Sequence, residues 1–133
     1  MKDFVTFEIA KKLKEKGFPQ RPDYFNYSSY YDWDGLRKIH SLTNASVWFD
    51  TNISRDNIYF APTISQALNW LREKRGLHIC MGVPLHHGWD YEITEVDGAL
   101  FRHANDGYCS YNEAALAGIE YVLDNLISSN HER

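Results

Sequence analysis

The sequence predicts an α+β fold: a single domain, residues 1–133, with an antiparallel sheet of short strands laid out as hairpins and meanders. About three helices accompany it, the C-terminal one packed on the sheet. Three observations predict this. Apolar residues recur at helical spacing near both ends and in the middle of the chain. Between those stretches apolar and polar residues alternate with the period of a half-buried strand. Tight-turn sequences, Pro84 to Gly88 and Asp97-Gly98, join the alternating stretches and favour antiparallel pairing.

The N-terminal helix carries Ile9, Ala10, Leu13 and Gly17 on one side. Lys11, Lys12, Lys14, Glu15 and Lys16 lie largely on the other, and Gly17 followed by Phe18-Pro19 marks the stop. Tyr24, Phe25, Tyr27, Tyr30, Tyr31 and Trp33 then crowd into one short tract, with a turn expected at Asp32 to Gly35. Leu36 to Leu42, Ser46 to Phe49 and Ile58 to Phe60 read as strands, with loops in the polar tract from Thr43 to Asn57.

The stretch Tyr59 to Val96 organises the rest. Pro62 disfavours helix at Ala61, and Thr63 is a good N-cap. Ile64, Ala67, Leu68 and Leu71 share a helical face, and Gly76 suits a left-handed C-terminal cap. Leu77, Ile79, Met81 and Val83 then alternate with His78, Cys80 and Gly82, and Trp89, Tyr91 and Ile93 with Asp90, Glu92 and Thr94. Asp97-Gly98 points to a third strand over Ala99 to His103. Ser110 and Glu113 form a capping-box sequence ahead of the apolar stripe Ala115, Ile119, Val122, Leu123 and Leu126, and residues 128–133 are expected to fray.

Composition excludes several classes. Hydrophobic residues make up 44% and charged residues 24%, as in ordinary globular domains. No apolar run approaches the ~20 residues that span a bilayer, so no membrane partner is expected. The first residues carry acids where a secretory signal needs an apolar stretch, and the two cysteines make no disulfide framework. A cytoplasmic location is therefore expected. Net charge is −4 but unevenly spread: six basic and three acidic residues in 1–22, and two basic against nine acidic in 90–133. Such asymmetry leaves pairing of two copies open, while four helix-borne lysines beside two glutamates are a weak phosphate-binding signal and do not favour nucleic acid.

Ala61-Pro62-Thr63, Ala67, Trp70 to Lys74, His78-Ile79 and Tyr91-Glu92-Ile93 resemble a family of small uncharacterised proteins from gut Bacteroidetes and their phages and mobile elements. Ile9 to Phe18 and Ser110-Tyr111 with Glu113-Ala114-Ala115 fit the same family, and segment 36–57 is its least clear part. The resemblance implies an accessory protein of a bacterial or phage cytoplasm; it implies no activity and no catalytic residue.

Candidate chemistry is sparse. His78 and Cys80 share a strand face and His86 and His87 sit in the following turn, but a zinc site needs three or four converging ligands. Cys109 with His103, or Cys80 with His78, could pair as nucleophile and base, yet no orienting carboxylate is evident beside them. Asp90 and Glu92 share a face, as acids on a wet strand face routinely do. No glycine-rich phosphate loop is present. The sequence thus assigns no catalytic, cofactor-binding or metal-binding residue and no cofactor, and it reads as a non-enzymatic protein. A small-ligand site or active site between the hairpin 77–96 and the helices is the first alternative, and a nucleic-acid role of the helix lysines the second.

The aromatic tract carries the functional reading. Tyr24, Tyr27, Tyr30, Tyr31 and Trp33 form a candidate surface for a protein partner, because tyrosine offers a flat apolar ring with a polar tip. Core packing accounts for the same cluster, and stacking of sugars or bases is a third possibility. Alternation along an extended chain sends Tyr30 and Tyr31 to opposite faces, so at least two rings are expected to stand exposed.

Overall fold

Local capping signals place the described helices, and strand alternation places most of the described strands. The computed structural model describes residues 3–20, 27–31, 37–41, 59–84, 87–97 and 100–127, with 27–29 and 37–41 described by backbone alone. The described residues form a mixed α+β structure with three helices and two antiparallel three-stranded sheets. The chain divides into two compact units, one built on residues from Phe4 to Pro62 and the other on Asp3 with Thr63 to Ile127.

The first unit starts with helix α1, Phe7–Glu15, whose Thr6 hydroxyl accepts the Ile9 amide at 3.3 Å. Its far end is a Schellman closure. Gly17, at φ 98°, lets the Phe18 amide reach back to the Leu13 carbonyl at 2.9 Å and its own amide to Lys14 at 3.2 Å. Leu13 and Phe18 are buried, completing the apolar contact that accompanies this motif. The sheet has the order β2-β1-β3, from β1 (Tyr27–Tyr31), β2 (Arg37–Ser41) and β3 (Tyr59–Phe60). Tyr30 pairs with Lys38 on one side and Phe60 on the other. Gln20 secures the short β3: its side-chain oxygen accepts the Phe60 amide at 2.9 Å, while its amide nitrogen donates to the Phe18 carbonyl at 3.1 Å.

The second unit starts with α2, Ile64–Arg75. Thr63 and Gln66 close a reciprocal capping box at 3.1 and 2.8 Å, and Gly76 ends the helix in the left-handed region at φ 68°. Three strands follow in spatial order: β4 (Leu77–Gly82), β5 (Trp89–Glu95) and β6 (Phe101–Tyr108). β4 and β5 pair without interruption from Leu77↔Glu95 to Gly82↔Asp90. The β5–β6 pairing is irregular in two places, between Trp89 and Tyr91 and between Ile93 and Thr94.

Helix α3, Tyr111–Asn125, packs on this sheet. Ser110 accepts the Glu113 amide at 3.1 Å. The Glu113 carboxylate takes the Cys109 amide at 3.4 Å, one residue outside the expected reciprocal bond. The buried stripe is Ala114, Ala115, Gly118, Ile119, Val122 and Leu123; Leu126 is only half-buried. At Gly118 the helix comes close to the sheet. A β-carbon there would lie 2.9 Å from Ile79 Cγ2 and 3.1 Å from Tyr91 Cγ.

The expected strand over Ser46 to Phe49, the turn at Asp32 to Gly35 and the end at 128–133 fall outside the described residues. The expected third strand, Ala99 to His103, is instead Phe101–Tyr108. In its second half Ala104 and Asn105 pair with Glu92 and Tyr91, whereas Asp106 and Gly107, the latter at φ 92°, fall in the irregularity before Tyr108 pairs with Trp89.

Candidate functional site

The five aromatic candidates fare differently. Tyr30 is buried at 5% exposure. Tyr31 is half-buried, donates its hydroxyl to the Val5 carbonyl at 2.8 Å and meets Phe7 edge-on at 5.5 Å. Tyr27 lies on β1, described by backbone alone, and Tyr24 and Trp33 lie outside the described residues. Phe7 also packs edge-on against Tyr59 at 5.6 Å. Two of the α1 lysines lean over these rings: Lys11 Nζ stands 5.4 Å from the Phe7 centroid and Lys14 Nζ 5.0 Å from that of Tyr59. Both ammonium groups thus have intramolecular cation–π partners.

In the second unit the strand register settles where the chemistry-bearing residues stand. His78 and Cys80 share a face of β4 as alternation requires, with Thr94 and Glu92 opposite them on β5. Cys80 and Glu92 are exposed and His78 half-exposed, so this is the sheet face away from α3. Asp90 and Glu92 share it. Among the described residues no three His, Cys, Asp or Glu side chains come together as metal ligands. His87 is exposed, and His86 lies outside the described residues.

His103 takes a role that the sequence does not reveal. Its spacing suggests only a base for Cys109, but the pairing of Ile93 with His103 turns the imidazole to the helix side. There its Nε2 lies 3.1 Å from the Tyr91 hydroxyl, and its ring stacks on Tyr121 of α3 at 3.8 Å and 6°. Tyr108 leans on Tyr91 at 5.8 Å. Burial, with the neighbouring Tyr108 and Tyr121 hydroxyls adding to it, raises the Tyr91 pKa from 10.0 to about 12. Tyr91 therefore keeps its proton throughout the physiological range. The group is a packed, hydrogen-bonded cluster joining β5, β6 and α3. Pairing Tyr91 with His103 required the β5–β6 register, which no short-range signal carries.

The space expected between the hairpin and the helices is closed where Gly118 meets Ile79 and Tyr91, but a hollow of about 240 Å³ opens nearer the helix ends, between Arg75, Leu77, Glu95, Asp97, Arg102 and Leu126. A hollow of about 400 Å³ lies elsewhere, at the starts of α2 and α3, lined by Asp3, Thr63, Ser65, Gln66, Tyr111 and Asn112 among others. Three of the five large apolar residues exposed among the described residues lie instead at the end of β5 and the start of β6. Val96, Leu100 and Phe101 are 48%, 54% and 56% exposed, with Val83 at 64% beyond β4. Beside them an Arg102–Glu95 ion pair at 2.9 Å crosses between the strands.

No family model matches the chain, and neither a curated protein nor a solved structure matches it. Among the described residues no helix is long and apolar enough to cross a membrane.

Proposed function

We propose that this chain is a non-enzymatic interaction protein that works through a protein–protein surface, as an accessory factor of the bacterial or phage cytoplasm that its resemblance implies. The observation that carries the reading is the exposure of Val96, Leu100 and Phe101 at the end of β5 and the start of β6. Large apolar side chains grouped on a surface mark contact sites more often than scattered ones do. Glu95, Asp97 and Arg102, adjacent in sequence to Val96 and Phe101, supply the polar groups that usually accompany such a patch at a protein interface. The closed contact at Gly118 weighs against the small-ligand alternative at that place. The ring contacts of Lys11 and Lys14 weigh against α1 as a phosphate-binding helix.

The test is Leu100→Ser with Phe101→Ser, compared with wild type in quantitative capture from a bacterial host, and with Tyr27→Ser and Tyr31→Ser as a second pair. An unchanged melting temperature with loss of the captured partner in the first pair supports the hairpin tip. The same loss in the second pair, with the fold intact, moves the surface to the aromatic tract. Capture unchanged by both pairs overturns the proposal.

A further inference from the structure

The two edges of the β4-β5-β6 sheet are built differently. The Val96 amide donates to the Gly76 carbonyl at 2.9 Å, which makes those two residues a hydrogen-bonded pair. Bonded and non-bonded pairs alternate along an antiparallel ladder. His78, Cys80 and Gly82 therefore spend their main-chain groups on β5, and Leu77, Ile79 and Met81 point theirs out of the sheet. The Glu95 amide on the Leu100 carbonyl, at 2.9 Å, fixes the other side in the same way, so that β6 turns the main-chain groups of Ala104 outward.

The β6 edge is guarded. Register shifts flank the short regular stretch around Ala104, the exposed charges Arg102 and Asp106 stand on either side of it, and the Asp106 amide is taken by the Asn105 side chain at 3.0 Å. Bulges and charges of this kind keep an edge from pairing with another chain. The β4 edge has none of them. Its register runs unbroken through six pairs, and Leu77 to Gly82 carry no acidic side chain, lysine or arginine. The outward groups of Leu77, Ile79 and Met81 make no hydrogen bond to another described residue.

We propose that β4 is a strand-pairing edge and that it is filled by β4 of a second copy, antiparallel about Ile79. The outward set is symmetric about that residue. A two-fold axis through it pairs Ile79 with Ile79 and Leu77 with Met81, then Met81 with Leu77, satisfying all three outward amides of each copy. The same register sets Leu77 against the half-buried Met81 on the helix side, and His78 against Cys80 on the open face, with no like charges opposed. An acidic or basic segment of another protein would find no counter-charge on this edge. The site lies on a different strand from the Val96–Phe101 tip, so either can fail without the other.

The test uses the full chain. Sedimentation equilibrium over a wide concentration range is run on wild type and on His78→Lys with Cys80→Lys. In the monomer the lysine introduced at position 80 faces Glu92 across β4–β5, so the fold tolerates the change. In the paired state two lysines of each copy face two of the other, and dimerisation should weaken by about tenfold. Met81→Pro, which removes one outward amide, is the second variant should the first fail to fold. Amide exchange on wild type gives a readout free of mutation: the amides of Leu77, Ile79 and Met81 should gain protection as concentration rises, and that of Ala104 should not. A wild-type chain that stays monomeric throughout overturns the proposal, as does a dimer that the lysine variant leaves unchanged. So does protection of those three amides only on adding an extended peptide of foreign sequence.

Discussion

Gly118→Ala sets two physical effects against each other at one atom. Replacing a glycine inside a helix by alanine stabilises it by roughly 0.5–1 kcal/mol. Here the new methyl would lie 2.9 Å from Ile79 Cγ2, and 3.1 and 3.2 Å from two atoms of the Tyr91 ring, all inside ordinary contact distance. Neither neighbour yields easily. Ile79 and Tyr91 are 5% and 2% exposed, and the Tyr91 hydroxyl is tied to His103. Helix α3 must lift, and overpacking of this kind costs typically about 1–3 kcal/mol. The overlap wins, so Gly118→Ala should destabilise by about 1 kcal/mol net. Urea titration followed by far-ultraviolet circular dichroism measures it. Ile79→Ala removes the closest atom, so in that background the penalty should shrink, with a coupling of about 0.5–3 kcal/mol in the double-mutant cycle. A gain of stability from Gly118→Ala alone would refute the close packing of α3 on β4 and β5.

Three further outcomes are expected. Leu123→Ala, a fully buried side chain at 0% exposure, should cost about 2–5 kcal/mol in the same titration, and a loss below ~0.5 kcal/mol would mean that the buried face of α3 is wrongly placed. Gly76→Ala meets no atom within 4 Å but must hold φ +68°, so it should lose about 1–2 kcal/mol through backbone strain alone; Gly76→Asn should recover part of that. Tyr91 gives an alkaline signature. The unfolded chain releases its proton near 10.0 and the folded chain only near 12, so its contribution is complete below pH 10 and lost as pH rises to 12. Denaturant titrations from pH 9 to 12 should therefore show a steeper alkaline loss for wild type than for Tyr91→Phe, and parallel curves would contradict the burial of that hydroxyl.

Much of the fold is written in signals that act within a few residues. Thr63, Gly76, Ser110 and the Gly17-Phe18 pair each mark a helix end, because the groups they satisfy lie three to five residues away. The alternation of Leu77 to Val83 and Trp89 to Glu95 is equally local, and both strands lie where it puts them. What failed to show was long-range. The division of the strands into two sheets depends on β1 pairing with both β2 and β3, the last of them 28 or more residues later in sequence. Asn105 joins the strand against its turn preference because β5 offers it Tyr91 as a partner, while Asp106 and Gly107 keep an irregular backbone beside Trp89. The site followed the same rule. His78 and Cys80 share a face by simple alternation, whereas the Tyr91–His103–Tyr121 cluster exists only once β6 is registered on β5 and α3 is laid across both. The exposed group escapes notice for another reason: Val96, Leu100 and Phe101 are of the types that fill cores, and only the fold leaves them about half exposed.

The parallel stack of His103 on Tyr121 gives the molecule an internal gauge. A proton held above a neighbouring aromatic face is shielded by its ring current, so the imidazole carbon-bound protons should resonate upfield of their usual positions in a nuclear magnetic resonance spectrum. Their shielding lasts only while α3 lies on β6. Following that one resonance against the amide signals of β4 and β5 would separate detachment of the last helix from loss of the sheet, two events that optical melting records as one.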